Sequence, residues 1–178
     1  MSELRTNRIV PRDGLSSGSN GGIVQIKYAI KNDTQSIGSQ GYSATPTDVS
    51  GLSVTITPTR SDSKILVQVS LGSLSNNERY KRAFMNIVRG STNVITGDAA
   101  TGDEVTAAVC SRSSDDNHIQ IPVSFMVLDS PATTSATTYK VQLSRGSDSG
   151  TVYLNGSAGA DAYAGNTAST IIVMEVSG

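Results

Sequence analysis

Residues 119 to 144, IQIPVSFMVLDSPATTSATTYKVQLS, constrain the fold most, because they contain two runs with apolar residues at every second position. The first run places them at Ile119, Ile121, Val123, Phe125 and Val127, and the second at Tyr139, Val141 and Leu143. A period of two with one more apolar face is typical of a half-buried β-strand. The Ser, Pro, Ala and Thr residues between the runs predict a turn. The stretch therefore forms either a hairpin or a corner between the sheets of a sandwich.

Similar alternation recurs along the rest of the chain, in segments separated by polar, glycine-containing turns. It marks residues 23–30, 51–59, 64–71, 80–90, 105–111 and 151–157. Residues 80–90, YKRAFMNIVRG, are also compatible with a short helix, but the flanking strands and the turn at Gly90 favour a strand. The pattern predicts eight to ten strands and no long helix. The expected fold is all-β, an antiparallel β-sandwich of the jelly-roll type.

Residues 170–176, TIIVMEV, are nearly continuous in apolar character. Such a run is expected for a strand that is buried on both faces. A strand this apolar would invite aggregation at the exposed edge of a sheet. We therefore expect it in the middle of a sheet or at a seam between subunits.

The chain divides into an N-terminal arm, residues 1–21, and a β-sandwich domain, residues 22–178. The arm is rich in Gly, Ser, Asn and charged residues and cannot bury enough apolar surface to fold alone. It nevertheless offers apolar and cationic anchors for the surface of another subunit. The predicted anchors are Leu4, Arg5, Arg8, Ile9, Val10 and Leu15.

Composition narrows the location and the partners of the chain. The net charge is −1 and only 16% of residues are charged, which argues against nucleic-acid binding, since that binding depends on neutralising phosphates. The first twenty residues contain no apolar core of the signal-peptide type, so we expect synthesis in the cytoplasm without a cleavable signal. No run approaches the roughly 18 apolar residues of a membrane span.

The residues that usually carry chemistry are few. Cys110 and His118 are the single cysteine and histidine, which is too little for a zinc site or a disulfide. We expect Cys110 to be a small buried apolar residue and His118 to be solvated. No serine lies in a nucleophile elbow, and no carboxylate run matches a calcium loop. The sequence thus predicts a protein that is not an enzyme and has no metal, cofactor or catalytic residue.

Four segments together resemble structural proteins of tailed phages that infect marine bacteria, particularly cyanophages. These segments are MSELRTNRIVPRDG with the following GGIVQ, GLSVTITPTRSDSKILVQVSL, VSFMVLDSPATTSATTYKVQLSRG and STIIVMEVSG. They cover most of the chain, and residues 90–117 are the part that resembles the family least.

The resemblance implies a virion component whose jelly roll is similar to the trimeric domains of tumour necrosis factor and the complement globular head. It implies a homotrimer that contacts other capsid or tail proteins, as a subunit of the tail fibre or appendage or as a capsid decoration. With this implied trimer, the candidate seam residues are Phe84, Phe125, Tyr139, Ile171, Val173 and Met174.

Two other classes of function stay open at the level of sequence. The first is a module at a fibre tip that binds a host receptor or surface glycan through the loops at one end of the sandwich. The second is an enzyme such as a depolymerase, which the missing catalytic residues make the weakest of the three.

Overall fold

The computed structural model describes residues 21–38, 46–98, 106–112, 119–146, 150–157 and 165–178. The described residues form eleven strands and no helix. The strands are β1 (Ile23–Lys31), β2 (Gln35–Ile37), β3 (Thr47–Ile56), β4 (Lys64–Asn76), β5 (Arg82–Arg89), β6 (Thr92–Asn93), β7 (Val109–Arg112), β8 (Ile121–Asp129), β9 (Thr137–Arg145), β10 (Val152–Leu154) and β11 (Ser169–Val176).

The strands form two antiparallel sheets that pack face to face. In the first sheet β1, β11, β4 and β8 lie side by side, and the short strands β10 and β2 extend it beyond the end of β11. In the second sheet β3, β9 and β5 lie side by side, with β7 and β6 against β5. The expected all-β sandwich is confirmed.

The order of pairing is that of a jelly roll. With the short strands β2, β6 and β10 set aside, eight strands remain. They pair from the ends of the chain inward: β1 with β11, β3 with β9, β4 with β8 and β5 with β7. A long antiparallel ribbon wrapped into two sheets gives this order. The prediction that the last strand lies centrally is also confirmed, because β11 is hydrogen-bonded to β1 on one side and to β4 on the other.

The segment that joins β8 to β9 is a corner between the sheets, and the hairpin alternative is wrong. β8 pairs with β4 in the first sheet, whereas β9 pairs with β3 and β5 in the second. Asp129 fixes the corner, since its Oδ2 accepts hydrogen bonds from the Tyr139 hydroxyl at 2.6 Å and from Arg89 Nη1 at 2.7 Å. Burial and then the contact with Asp129 raise the pKa of Tyr139, so the phenol remains a protonated donor.

The core lies between the inward faces of the two sheets. It is built from aliphatic side chains together with Met85 and Tyr139, and β4, β5, β9 and β11 contribute its centre. Residues 82–89 are a strand, as predicted, and the helical alternative is wrong. The expectation that Cys110 is buried is also wrong. β7 pairs only with β5 among the described residues, and on this short edge strand the Cys110 side chain is exposed.

Buried polar residues close the sandwich at both ends. At one end lies Asn155, which adopts a left-handed backbone with φ of 61°. Its Nδ2 donates to the carbonyl oxygens of Lys31 and Asp33, and its Oδ1 accepts from Ser169 Oγ at 2.6 Å. One side chain thus ties the end of β1 to the beginning of β11.

At the opposite end lies Glu175, a fully buried carboxylate on β11. Its Oε1 accepts hydrogen bonds from the Thr59 amide, the Thr59 hydroxyl and the Ser63 hydroxyl at 2.6–2.7 Å, and its Oε2 accepts one from Gln25 Nε2 at 2.6 Å. Burial alone would raise the pKa of Glu175. The hydrogen bonds from Gln25, Thr59 and Ser63 outweigh it and hold the pKa below the ordinary value of 4.5.

Replacement of Glu175 tests this anchor. Glu175→Ala removes the acceptor of one buried and three part-buried hydrogen bonds, and we expect it to lower the free energy of unfolding by about 2–4 kcal/mol. Because the folded state binds this proton less readily than the unfolded state, stability is lost as the pH falls through 4.5 towards the folded-state pKa. Glu175→Gln cannot titrate. Its free energy of unfolding in urea should therefore be closer to that of the parent at about pH 3 than at about pH 6. A difference that does not change with pH would contradict this assignment.

Candidate subunit interface

The outward face of the first sheet is covered by apolar side chains in register across its four strands. One row consists of Ile26, Met174, Leu66 and Leu128, which are successive Cα partners on β1, β11, β4 and β8. The next row, two residues along each strand, consists of Tyr28, Ile172, Gln68 and Met126. A register shift in β1 also brings Ile23 opposite Val176, and these two residues form a part row beyond the first. These ten residues are called the apolar face below.

The apolar face is open to solvent in the single chain. Its outer members on β1 and β8 are exposed, with between 53% and 67% of each residue's surface accessible to solvent. Ile30, which follows on β1, is 52% exposed. Its inner members on β11 and β4 are half-buried by their neighbours. Gln68 is the one polar residue of the face, and the charged Lys64 on β4, the partner of Val176, borders it. The face therefore presents a continuous surface that water solvates poorly.

Strand geometry gives the size of the apolar face. Four strands about 4.8 Å apart and two full rows about 7 Å apart, with the part row at Ile23, cover on the order of 300–400 Å². This area matches the largest apolar patch of an ordinary monomer, which is often functional. A stable interface hides roughly 800 Å² on each partner. The apolar face has the size of an interface core that would be completed by a polar rim.

The outward face of the second sheet has the opposite character. Thr55 and Thr138 share a hydrogen bond of 2.8 Å across β3 and β9, and Asp48 accepts hydrogen bonds of 2.7 Å from both Lys140 and Gln142. The Lys140 and Gln142 hydrogen bonds hold the pKa of Asp48 below its ordinary value. This polar network suits contact with water. The two sides of the sandwich are thus clearly distinguished.

The structure distributes the predicted seam residues over several places. Tyr139, Ile171 and Val173 are fully buried in the core of the chain itself, and Phe125 is half-buried against that core. Phe84 lies on β5 and is 7% exposed. Met174 belongs to the apolar face. Contact between subunits through these residues stays a prediction, and Met174 is the one that lies on the outward surface of the first sheet.

The predicted arm anchors Leu4, Arg5, Arg8, Ile9, Val10 and Leu15 lie outside the described residues, as does His118. Among the described residues no group of three or more His, Cys, Asp or Glu side chains could hold a metal ion. A long apolar helix of the kind that crosses a membrane is absent from the described part of the chain.

Sequence reasoning missed most of the apolar face. It named Met174 but neither its outward neighbour Ile172 nor any face residue on β1, β4 or β8. The runs TIIVMEV and FMVL contained a signal for the face, because they have apolar residues on both faces of the strand. A strand that faces water on one side has polar residues at every second position, so a strand without them has a second surface to cover.

No model of a protein family matches the chain, and none of the curated proteins matches it. Among solved structures, the chain is similar to the VP2 subviral particle of infectious bursal disease virus, with a TM-score of 0.47 and 12% identity over 97% of this chain and 43% of that one. It is also similar to a structure of the Gx strain of the same virus, with a TM-score of 0.45 and 12% identity over 97% of this chain and 40% of that one. The chain spans less than half the length of either protein.

Two neighbouring residues on β11 allow a matched test of the face. Val173→Asp places an unpaired charge in the core, so we expect the chain to unfold or to lose several kcal/mol of stability. Met174→Asp places the same charge on the outward side, so we expect a folded chain with little change in melting temperature. Circular dichroism and thermal unfolding measure both effects. Equal destabilisation by the two substitutions would contradict the assignment of Met174 to an exposed face.

Proposed function

We propose that the chain is a non-enzymatic structural protein of a virion, a trimeric jelly-roll subunit that assembles through its apolar face. The observation that carries this proposal is the contrast between the two outward surfaces of the sandwich. One is an uncharged apolar surface in register across four strands, and the other is a polar hydrogen-bonded surface. An apolar surface on one side only supports burial of that side against a partner.

Burial of the apolar face supplies the driving force for assembly. Each large aliphatic or aromatic side chain that leaves water contributes roughly 1.5–3 kcal/mol, before the cost of immobilising the subunits is subtracted. The face lies at the centre of the first sheet, where β11 and β4 are flanked on both sides. Three copies that turn this sheet towards a common axis would each bury the face and leave the polar second sheet to the solvent.

The finer role rests on the sequence. The resemblance to phage structural proteins supports a tail fibre, an appendage or a capsid decoration as the site of the subunit. The described strands form one sandwich and no long shaft, which suits a decoration or tip subunit better than the shaft of a fibre. In this proposal the arm attaches the subunit to the particle, and three arms in one trimer bind more tightly than one.

The mass of the purified chain tests self-association. We expect the parent to elute with the mass of three chains in size-exclusion chromatography with multi-angle light scattering. Met174→Asp and Leu128→Lys should give folded single chains, because each places a charge in the apolar face. Ser91→Lys, on an exposed turn, serves as the control and should keep the mass of the parent. A monomeric parent, or a trimer that tolerates both charged substitutions, would refute assembly through this face.

The composition of particles tests the virion role. Particles released by cells that encode the chain are purified, and the chain is sought by mass spectrometry and by immunogold labelling. We expect the chain in the particles, at a fixed ratio to the major structural proteins and with label on their surface. We expect Met174→Asp to be lost from them while Ser91→Lys is retained. Presence of the chain in the cell lysate and its absence from particles would overturn the proposal.

A further inference from the structure

An open groove lies between β1 and β3, at one side of the sandwich. It is lined by Ile26, Lys27, Tyr28, Ser53, Val54 and Thr55. β1 pairs only with β11, and β3 only with β9, among the described residues. The groove therefore follows the free edges of two strands that belong to different sheets.

The free edge of β1 is only lightly protected, by the exposed Lys27 and by a register shift between Ile23 and Gln25. The strand is nine residues long and contains no proline, and its two charged residues are Lys27 and Lys31. Lys31 is buried and bonded to Asp33, so it does not shield the edge. Ile26, Tyr28 and Ile30 are all more than half exposed. A long apolar edge of this kind is a template for one more strand unless something covers it.

A segment of suitable length adjoins this edge. Twenty residues precede Gly21, and in extended form they span about 66 Å, whereas β1 is about 30 Å long. The segment contains Ile9 and Val10 next to each other, with Leu4 and Leu15 on either side. Pro11 is tolerated in an added strand, because such a strand is itself an edge strand.

The arm joins the domain at the edge of the first sheet. The Gly21 amide donates to the carbonyl of Ser177 at 3.1 Å, and the Ser177 amide donates to the carbonyl of Gly22 at 2.9 Å. These bonds hold the start of β1 beside the end of β11, and Gly21 itself lies in a turn with φ of 93°. The arm is therefore attached to the sheet through which the copies are proposed to pack.

We propose that the part of the arm around Ile9 and Val10 of a second copy lies along β1 as an added strand, in the groove between β1 and β3, and that the rest of the arm is left to contact the particle. This inference rests on the self-association proposed above. Backbone hydrogen bonds to β1 supply the affinity, and the apolar side chains around Ile9 and Val10 pack against Ile26 and Tyr28. Exchange of arms in this way joins neighbouring subunits without enlarging the apolar face.

Hydrogen–deuterium exchange of the full chain tests the groove. We compare the parent with Ile9→Asp/Val10→Asp in the arm and with Ser53→Tyr, which fills the groove from β3 and replaces no residue of the apolar face. Both changes should speed amide exchange in Ile23–Lys31 at least tenfold. Ser16→Asp/Ser17→Asp and Ser91→Tyr are the matched controls and should leave that exchange unchanged. Unaltered exchange in β1 with both test variants overturns the proposal.

A photo-cross-linker placed at Ile9 identifies the copy that supplies the arm. Cross-links to peptides of β1 or β3 at twice the mass of one chain support a second copy. The same cross-links at the mass of one chain assign the groove to the chain's own arm and overturn the proposal, as does the absence of cross-links to either strand.

Light scattering on the same samples separates the two hypotheses. A trimer whose β1 is unprotected and not cross-linked refutes the arm exchange and leaves the proposed function intact. A parent that is a single chain at all concentrations refutes both.

Discussion

Insertion of β11 between β1 and β4 is the constraint on which the rest of this structure depends. It joins the last strand to the first and brings β4, β8 and β1 into one sheet. The same strand supplies Ile171 and Val173 to the core and Ile172 and Met174 to the apolar face. The stability of the sandwich and the surface proposed for assembly therefore depend on one pairing.

Buried polar groups specify the register of that pairing. A slip of one residue would turn every side chain of β11 to the other face of the sheet. Apolar side chains alone resist such a slip poorly here, because both faces of the strand are apolar. After such a slip, Glu175 would lose its hydrogen bonds from Gln25, Thr59 and Ser63, and Ser169 would lose its hydrogen bond to Asn155. Loss of these contacts makes the slipped state unfavourable, so the two polar ends select one register.

The fold could be predicted from sequence because period-two alternation is a local signal. It placed β1, β4, β5, β8, β9 and β11 correctly and anticipated the corner before Thr137. Local signals did not reveal the contacts of Glu175, since Thr59 lies 116 residues away in the chain. They also misplaced Cys110, because the apolar run VTAAVC does not show that β7 is a short edge strand. An apolar run shows that a surface is poorly solvated by water, and only the tertiary arrangement shows whether another part of the chain covers it.

The pairing of β1 with β11 also has a consequence for the timing of assembly during protein synthesis. Residues 23–31 leave the ribosome long before residues 169–176, so β1 waits for its neighbour while about 140 residues are added. Contacts of such large sequence separation form slowly. Until β11 is inserted, its side chains are missing from the middle of the apolar face, and neighbouring copies have no complete surface to recognise. The proposed association through this face therefore waits until each polypeptide has been made through Val176 and folded, and β1 and β4 keep unpaired edges until then.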